Sequence, residues 1–177
     1  MIDRLSTDRL TLRRPAPGDW PAFCAFFLSD RAQYVGGGAS LRETWADFAQ
    51  TLGHWQIRGY GMFTVTPKDQ DDRAVALVGP WHPVGWPEPE LGWLLFDADM
   101  EGQGIAFEAA SAARDHVFHD LGWPTAVSYI DRRNARSQTL ARRLGAELDP
   151  MAPVPGKLSG NAWRHTAPGG LPQTKVT

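Results

Sequence analysis

The chain has 177 residues, with 18 Lys and Arg against 20 Asp and Glu, so its formal net charge is −2. This length suits one domain with a sizeable core, and the small charge excludes a general attraction to nucleic acid or anionic membranes. Cys24 is the only cysteine, which excludes an intramolecular disulfide and fits a reducing compartment.

The chain also lacks the sequence signals of secretion and of membrane insertion. Its first residues contain no apolar run of the kind found in signal peptides, and no stretch approaches the roughly 20 apolar residues that span a bilayer. We therefore expect a cytoplasmic protein that does not bind membranes, with one domain over residues 1–168 and a flexible tail at 169–177.

The first half of the chain predicts one strand, two helices and two further strands. Asp19 is placed to cap the first helix, with Pro21 in its first turn. A flexible glycine loop at 36–38 precedes the capping box from Ser40 to Glu43, which begins the second helix. The five elements lie at 9–14, 19–29, 40–55, 60–66 and 73–79.

Residues 80–89 form a constrained loop with four Pro, two Trp, one His and one Gly. The elements after it alternate between strands and helices, and glycines mark the ends of both helices. The strands lie at 90–96, 125–130 and 161–166, and the helices at 105–121 and 134–144. This order predicts an α/β (α+β) fold, with a mixed central sheet flanked by helices on both faces.

The turn from Glu101 to Ala106 lies between a strand and a helix and contains two glycines. Glycine lets the backbone approach a ligand closely, and the first turn of the helix offers free N–H groups and the positive end of a dipole. The turn therefore predicts either a phosphate site or a simple connection. The chain lacks a Walker motif and a dinucleotide-binding motif, so both of those phosphate-binding classes are excluded.

The region from Glu90 to Leu148 resembles the core of GNAT acetyltransferases, and most of all the branch that includes RimJ and RimL. The opening LSTDRLTLRRPAPGD is similar to the first strand of that branch. Four features carry the resemblance in the same order as in the family. They are the acidic-x-Gly-aromatic strand at 90–93, the Gly-x-Gly-x-Ala turn at 102–106, Phe107-Glu108-Ala109, and Asn134-x-x-Ser137 leading to Leu144-Gly145.

The resemblance implies a splayed strand pair that holds the arm of acetyl-CoA, and backbone amides that bind its pyrophosphate. The amides implied are those of Gly102, Gln103, Gly104, Ile105 and Ala106. Glu101 departs from the Gln or Arg of the family pattern, and a carboxylate beside a pyrophosphate is unfavourable unless it points away.

Two residues of the next motif have both a family role and an ordinary one. The resemblance implies that Asn134 contacts the arm of the co-substrate and that Ser137 protonates the departing thiolate. Asn134 is equally suited to cap the helix that follows, and Ser137 to be an ordinary polar residue of its first turn.

Glu90 is the candidate for the base that takes the proton from an attacking amine, because a carboxylate with a raised pKa suits that task. A surface acid at the end of a strand is the alternative interpretation. Glu88 and His82 in the preceding loop are rival bases.

The other site predictions concern aromatic, histidine and arginine side chains. Trp81, Trp86 and Trp93 are expected to form an apolar wall for the acceptor. His116 and His119 are expected on an ordinary helix surface and not at a metal site, and Cys24 on a buried face. Arginine suits phosphate, so one or two members of a basic cluster are candidates for the 3′-phosphate of coenzyme A. The cluster consists of Arg132, Arg133, Arg136, Arg142 and Arg143.

The sequence therefore predicts an N-acetyltransferase that needs no metal and moves an acetyl group from acetyl-CoA to a primary amine by direct attack. The acceptor is either a protein N-terminus or a small-molecule amine, and a homodimer is possible. The alternatives are an inactive acyl-CoA-binding protein on the same fold and an enzyme that uses another acyl chain.

Overall fold

The computed structural model describes residues 2–36, 40–156 and 159–167. It contains one mixed sheet of eight strands in the order β1-β2-β3-β4-β5-β6-β8-β7. Only the β5–β6 pair is parallel among these neighbours. The strands are β1 (Arg4–Ser6), β2 (Leu10–Arg13), β3 (Phe63–Pro67), β4 (Ala76–Trp81), β5 (Glu90–Leu95), β6 (Thr125–Asp131), β7 (Glu147–Asp149) and β8 (Gly160–Thr166).

Four α-helices accompany this sheet in the described residues: α1 (Trp20–Phe27), α2 (Leu41–Arg58), α3 (Ile105–Asp115) and α4 (Ala135–Arg143). The predicted capping box is confirmed, because Ser40 and Glu43 bind each other's backbone at the start of α2. The helix predicted at 105–121 is also present, although its last turn, His116–Asp120, is a π-helix.

The prediction that the Asp19 side chain caps the first helix is wrong. Its carboxylate accepts no amide of α1. It accepts hydrogen bonds from the guanidinium of Arg13 at 2.6 Å, the hydroxyl of Thr64 at 2.7 Å and the amide of Ala16 at 2.9 Å. Asp19 therefore joins the start of α1 to strands β2 and β3, because a buried carboxylate needs charged or polar partners.

Helices cover both faces of the sheet, as predicted, and the side chains of β4 alternate between the two cores. Ala76 and Val78 pack in one core with the alanines of α3, whereas Leu77 packs in the other with phenylalanines of α1 and α2. The larger core contains Ala109, Ala110 and Ala113, and the smaller one contains Phe23, Phe26, Phe27 and Phe48.

The sheet opens between β5 and β6. Strand β5 pairs with β4 along its whole length, but it pairs with β6 only where Glu90 lies opposite Val127. The splayed strand pair is therefore present, and its gap begins directly after Glu90.

Two expectations concern residues outside the described parts of the chain: the tip of the glycine loop, at residues 37–38, and the flexible tail at 169–177. Within the described ranges, no helix combines the length and the apolar character needed to cross a bilayer.

Candidate active site

The glycine turn has the backbone conformation that its sequence predicts. Gly102 and Gly104 have φ angles of +74° and +79°, a region that L side chains rarely adopt. Gly104 is the N-cap of α3 and has no side chain with which to satisfy the first amides of the helix. The first amides of α3, which include those of Ile105 and Ala106, are therefore available to an anionic ligand.

The turn is held by residues between β1 and β2, a contact that was not predicted from the sequence. Arg9 donates to the Gln103 carbonyl at 3.1 Å and to the Glu108 carboxylate at 2.7 Å. Glu108 lies in the first turn of α3 and also accepts the Thr7 hydroxyl. This contact links residues about 100 positions apart, so no local sequence signal could reveal it.

Glu101, the departure from the family pattern, lies between two arginines. Its carboxylate pairs with Arg31 at 2.8 Å and also with Arg136. Arg31 and Arg136 together hold the pKa of Glu101 below its usual value. Arg31 also donates to the Leu95 carbonyl at 3.0 Å. The negative charge beside the turn is therefore compensated, and Arg31 is a site residue that the sequence analysis missed.

A cleft of about 1200 Å³ runs along the turn, and it separates the predicted basic cluster into two groups. Arg133, Arg136 and Arg143 line this cleft. Arg142 instead stacks on Trp163 at 4.8 Å from the ring centroid. Arg132 is exposed and does not line the cleft. Only the first group is placed to meet a phosphate in the cleft.

A second cavity of about 250 Å³ adjoins this cleft, and it contains the proposed base. Glu90 and all three tryptophans of the predicted wall, Trp81, Trp86 and Trp93, line it. Six residues line both spaces, and among them are Trp93, Asn134 and Ser137. The glycine turn and Glu90 therefore lie along one continuous opening.

Burial raises the pKa of Glu90 to about 7, although hydrogen bonds from Trp86 and from the Tyr129 backbone lower it in part. The indole Nε1 of Trp86 donates to Glu90 Oε2 at 2.6 Å. A carboxyl group that titrates near neutrality and faces a cavity is suited to accept a proton.

The two rival bases have other surroundings. Glu88 forms a two-pronged ion pair with Arg164, with distances of 2.7 and 2.9 Å, so its carboxylate already has a cationic partner. His82 does not line the cavity, and its backbone amide donates to Nε2 of His54 at 3.1 Å. Of the three candidates, only Glu90 faces the cavity.

Asn134 and Ser137 lie where the two spaces meet. The Asn134 side chain accepts the Ser137 amide at 3.1 Å, so it caps α4 while it lines the cleft. The Ser137 hydroxyl oxygen accepts the Nε1 proton of Trp93 at 3.2 Å. No hydrogen bond among the described residues uses the Ser137 hydroxyl proton, so the hydroxyl can donate it toward the opening.

The hydrogen bond from Trp86 gives a first testable prediction. In Trp86→Phe the titration midpoint of Glu90, followed by ¹³C NMR of its carboxyl carbon, should rise above about 7, because the ionised form loses a donor. Trp81→Phe is the matched control, since the Trp81 ring stacks on His54 and, within the described chain, its indole donates no hydrogen bond to the Glu90 carboxylate. An equal shift in both variants would contradict the assignment.

Two predictions about other residues need correction. His116 is not on the helix surface; it is 3% exposed, and its Nδ1 pairs with Asp120 at 2.8 Å. Its spacing from Ala109 and Ala113 places it on the apolar face of α3, a signal that the sequence already contained. His119 is exposed as expected, and Cys24 is half-buried, not buried. The described residues contain no group of three or more potential metal ligands.

Comparisons with known proteins agree with this arrangement. A family model described as an acetyltransferase (GNAT) domain matches residues 9–147. The acetyltransferase from Agrobacterium tumefaciens strain C58 is similar to this chain, with 39% identity, a TM-score of 0.86, and coverage of 93% of this chain and 95% of that one. The comparison with curated proteins gave no match.

More distant solved structures share the fold. A putative ribosomal-protein-serine acetyltransferase from Vibrio cholerae has 22% identity and a TM-score of 0.72, with coverage of 94% of this chain and 99% of that one. RimL, a ribosomal L7/L12 α-N-protein acetyltransferase in complex with coenzyme A, has 19% identity and a TM-score of 0.68, with coverage of 91% and 96%.

The family match includes the splayed strands, the glycine turn and the helix that begins after Asn134, and it spans most of the chain. The similarity to the Agrobacterium acetyltransferase extends over nearly the whole of both chains. The chain therefore belongs to the GNAT family of acetyltransferases, and RimL is among its structural relatives.

Proposed function

We propose that this chain transfers the acetyl group of acetyl-CoA to a primary amine by direct attack. One observation carries the proposal: the cavity that contains Glu90 adjoins the cleft along the glycine turn, and Trp93, Asn134 and Ser137 line both. A co-substrate whose diphosphate is bound at the turn would thus have its acetyl group near a carboxyl group with a pKa of about 7.

The residues around the cleft fit a coenzyme A thioester. The amides from Gly102 to Ala106 would bind the diphosphate. The gap between β5 and β6 would hold the arm, because within the described residues the two strands pair only at Glu90 and Val127. Arg133, Arg136 and Arg143 are candidates for the 3′-phosphate. The coenzyme A bound to the structural relative RimL supports this choice of co-substrate.

In the proposed reaction, the amine attacks the thioester carbonyl as a neutral nucleophile. Glu90 accepts the proton that the nitrogen loses as the C–N bond forms, and later releases it to solvent. A backbone N–H of the splayed strand polarises the carbonyl oxygen. The C–N bond forms, the C–S bond breaks, and Ser137 protonates the sulfur and then regains a proton from solvent. The hydrogen bond from Trp93 holds the Ser137 oxygen and uses it only as an acceptor, so the hydroxyl can still donate its proton to the sulfur.

The lining of the smaller cavity supports an amine as the acceptor. Among the described residues that line it there are aromatic rings and three acidic side chains, Asp47, Glu90 and Asp131, but no Lys, Arg or His. Such walls favour a neutral or cationic molecule over an acidic one. The acceptor is a protein N-terminus or a small-molecule amine, and the α-N-protein specificity named for RimL supports the first.

Acetyl transfer is tested by incubating the purified protein with acetyl-CoA and a panel of amines that includes N-terminal peptides, diamines and amino acids. We expect release of the free thiol of coenzyme A only with an acceptor, and a product heavier by one acetyl group. A protein that binds coenzyme A but acetylates no amine of the panel would contradict the proposal and support the acyl-CoA-binding alternative. Glu101 gives that alternative no support, since its charge is compensated by Arg31 and Arg136.

The ion pairs of Glu101 give a second prediction. Glu101→Gln should release Arg31 and Arg136 for phosphate and raise the affinity for coenzyme A about three- to fivefold in calorimetry, as expected for partly exposed charge pairs. Glu147→Gln, which makes the same change of charge on exposed strand β7, should leave the affinity unchanged. Weaker binding by Glu101→Gln would mean that the carboxylate holds the arginines in the position that phosphate requires.

A further inference from the structure

Strands β5 and β6 separate after a single rung. Glu90 lies opposite Val127, whose amide donates to the Pro89 carbonyl at 3.0 Å. If this parallel ladder continued in the same register, the next acceptor on β5 would be the Leu91 carbonyl and the next donor on β6 the Tyr129 amide. No further residue pair joins β5 to β6 in the described chain, so the Leu91 carbonyl is the point at which the sheet opens.

Both backbone groups of this absent pair, the Leu91 carbonyl and the Tyr129 amide, lie beside side chains that interact with them. The hydroxyl of Ser128, which is buried, donates to the Leu91 carbonyl at 2.6 Å. The Tyr129 backbone, which would supply the next donor, instead acts on the Glu90 carboxyl group and lowers its pKa. A buried carbonyl without a donor costs about 1–3 kcal/mol, so the Ser128 hydroxyl removes the main reason for the strands to continue pairing.

His165 orients the Ser128 hydroxyl. Its Nε2 lies 2.9 Å from Ser128 Oγ, and because the hydroxyl proton goes to Leu91, Nε2 is the nitrogen that carries a proton. His165 is 1% exposed, and burial lowers its pKa to about 4, so the ring is neutral at physiological pH. The ring also lies edge-on to Trp93, the residue that donates to Ser137.

We propose that Ser128, oriented by His165, is a positioning residue that keeps β5 and β6 apart at Leu91 and leaves the Tyr129 backbone free to bind Glu90. The Ser128–His165 pair thus affects two properties of the site: the distance between β5 and β6, and the ionisation of Glu90. Without the hydroxyl, the Leu91 carbonyl takes the Tyr129 amide and the gap closes by one rung. This inference rests on the proposed function, because it gives Glu90 the role of base.

The test compares Ser128→Thr with Ser128→Val, since threonine and valine have the same shape and differ only in the hydroxyl. Ser128→Thr should keep its affinity for coenzyme A within about threefold of the wild type in calorimetry, whereas Ser128→Val should lose about tenfold or more, the equivalent of one hydrogen bond. Of these two variants, only Ser128→Val should move the ¹³C titration midpoint of Glu90 above about 7. In that variant the Tyr129 amide turns to Leu91 and no longer stabilises the ionised form of Glu90. In turnover assays kcat should fall in the valine variant with little change in the acceptor KM.

Thr125→Val is the control for a merely structural effect. It removes a hydroxyl from the same strand, where Thr125 donates to the His165 carbonyl at 3.0 Å, and it should lower thermal stability without moving the Glu90 titration. His165→Phe approaches the pair from its other side and should change coenzyme A affinity and the Glu90 titration in the same direction as Ser128→Val.

The positioning role is wrong if the threonine and valine variants bind coenzyme A equally well and titrate alike, or if Thr125→Val reproduces the changes. It is also wrong if His165→Phe matches the wild type in both measurements. Neither measurement requires turnover. A wild-type protein that binds coenzyme A and acetylates no amine would therefore overturn the proposed function, while these comparisons would still decide the role of Ser128.

Discussion

Glu90→Gln should lower kcat/KM for the amine acceptor about 10²- to 10³-fold, which is the range for loss of a general base. The wild-type rate should rise with pH through a midpoint near 7, since Glu90 must be ionised to accept the proton. In the glutamine variant this limb of the pH profile should disappear, because the amide does not titrate. The measurement is a set of initial rates between pH 5.5 and 9 at saturating acetyl-CoA.

Glu88→Gln is the matched control for this variant, because Glu88 is an acid of the neighbouring loop that pairs with Arg164 and does not line the cavity. Its kcat/KM should stay within about threefold of the wild type, as expected for a change outside the reacting groups. If Glu88→Gln lost as much activity as Glu90→Gln, or if the limb near pH 7 persisted in Glu90→Gln, Glu90 would not be the base.

Glu90→Gln should also change the stability of the protein, and this effect can be measured without turnover. The folded-state pKa of Glu90, about 7, lies above its ordinary value of 4.5, so the folded protein binds this proton more tightly than the unfolded chain does. The resulting stabilisation is complete below pH 4.5 and is lost as the pH rises through 7. Glu90→Gln should therefore raise Tm relative to the wild type at pH 8 and leave it nearly unchanged at pH 5.

Gly104→Val should reduce the affinity for coenzyme A about 30-fold or more in calorimetry. A β-branched side chain is strained at a φ of +79°, and its methyl groups would lie beside the amides that are proposed to bind the diphosphate. Gly145→Val separates these two effects, because Gly145 has a φ of +81° and ends α4, away from the turn.

Gly145→Val should lose a comparable amount of stability, of the order of 1–3 kcal/mol for backbone strain, and bind coenzyme A within about threefold of the wild type. Equal affinities in the two valine variants would contradict the diphosphate site, since strain alone would then account for the loss.

Much of the fold could be predicted because its boundaries have local chemical signals. The capping box at Ser40 marks the start of α2, and Gly122 and Gly145 mark the ends of the two later helices within a few residues. Strands β1 and β7 were not predicted, because three residues are too few for an alternating pattern and both strands form by pairing with a neighbour. Asp19 was wrongly assigned as a cap because its partners, Arg13 and Thr64, are contributed by two other strands.

The candidate site was predictable only where its residues are close in sequence. The strand, turn and helix from Glu90 to Ser137 carry the family pattern, so their residues were found from the resemblance. Arg31 and Ser128 were missed because their partners, Glu101 and Leu91, lie 70 and 37 positions away. Contacts at such separations are created by the packing of the sheet, and a single sequence contains no pattern that records them.

The contact of Arg9 with Gln103 and Glu108 has a consequence for how the protein is made. The glycine turn is held by Arg9 only when the segment between β1 and β2 and helix α3 are both present. About 110 residues must therefore be synthesised before this turn can be fixed in place. Proteolysis that removes the amino terminus up to Arg9 should then lower the affinity for coenzyme A, although the sequence of the turn is unchanged.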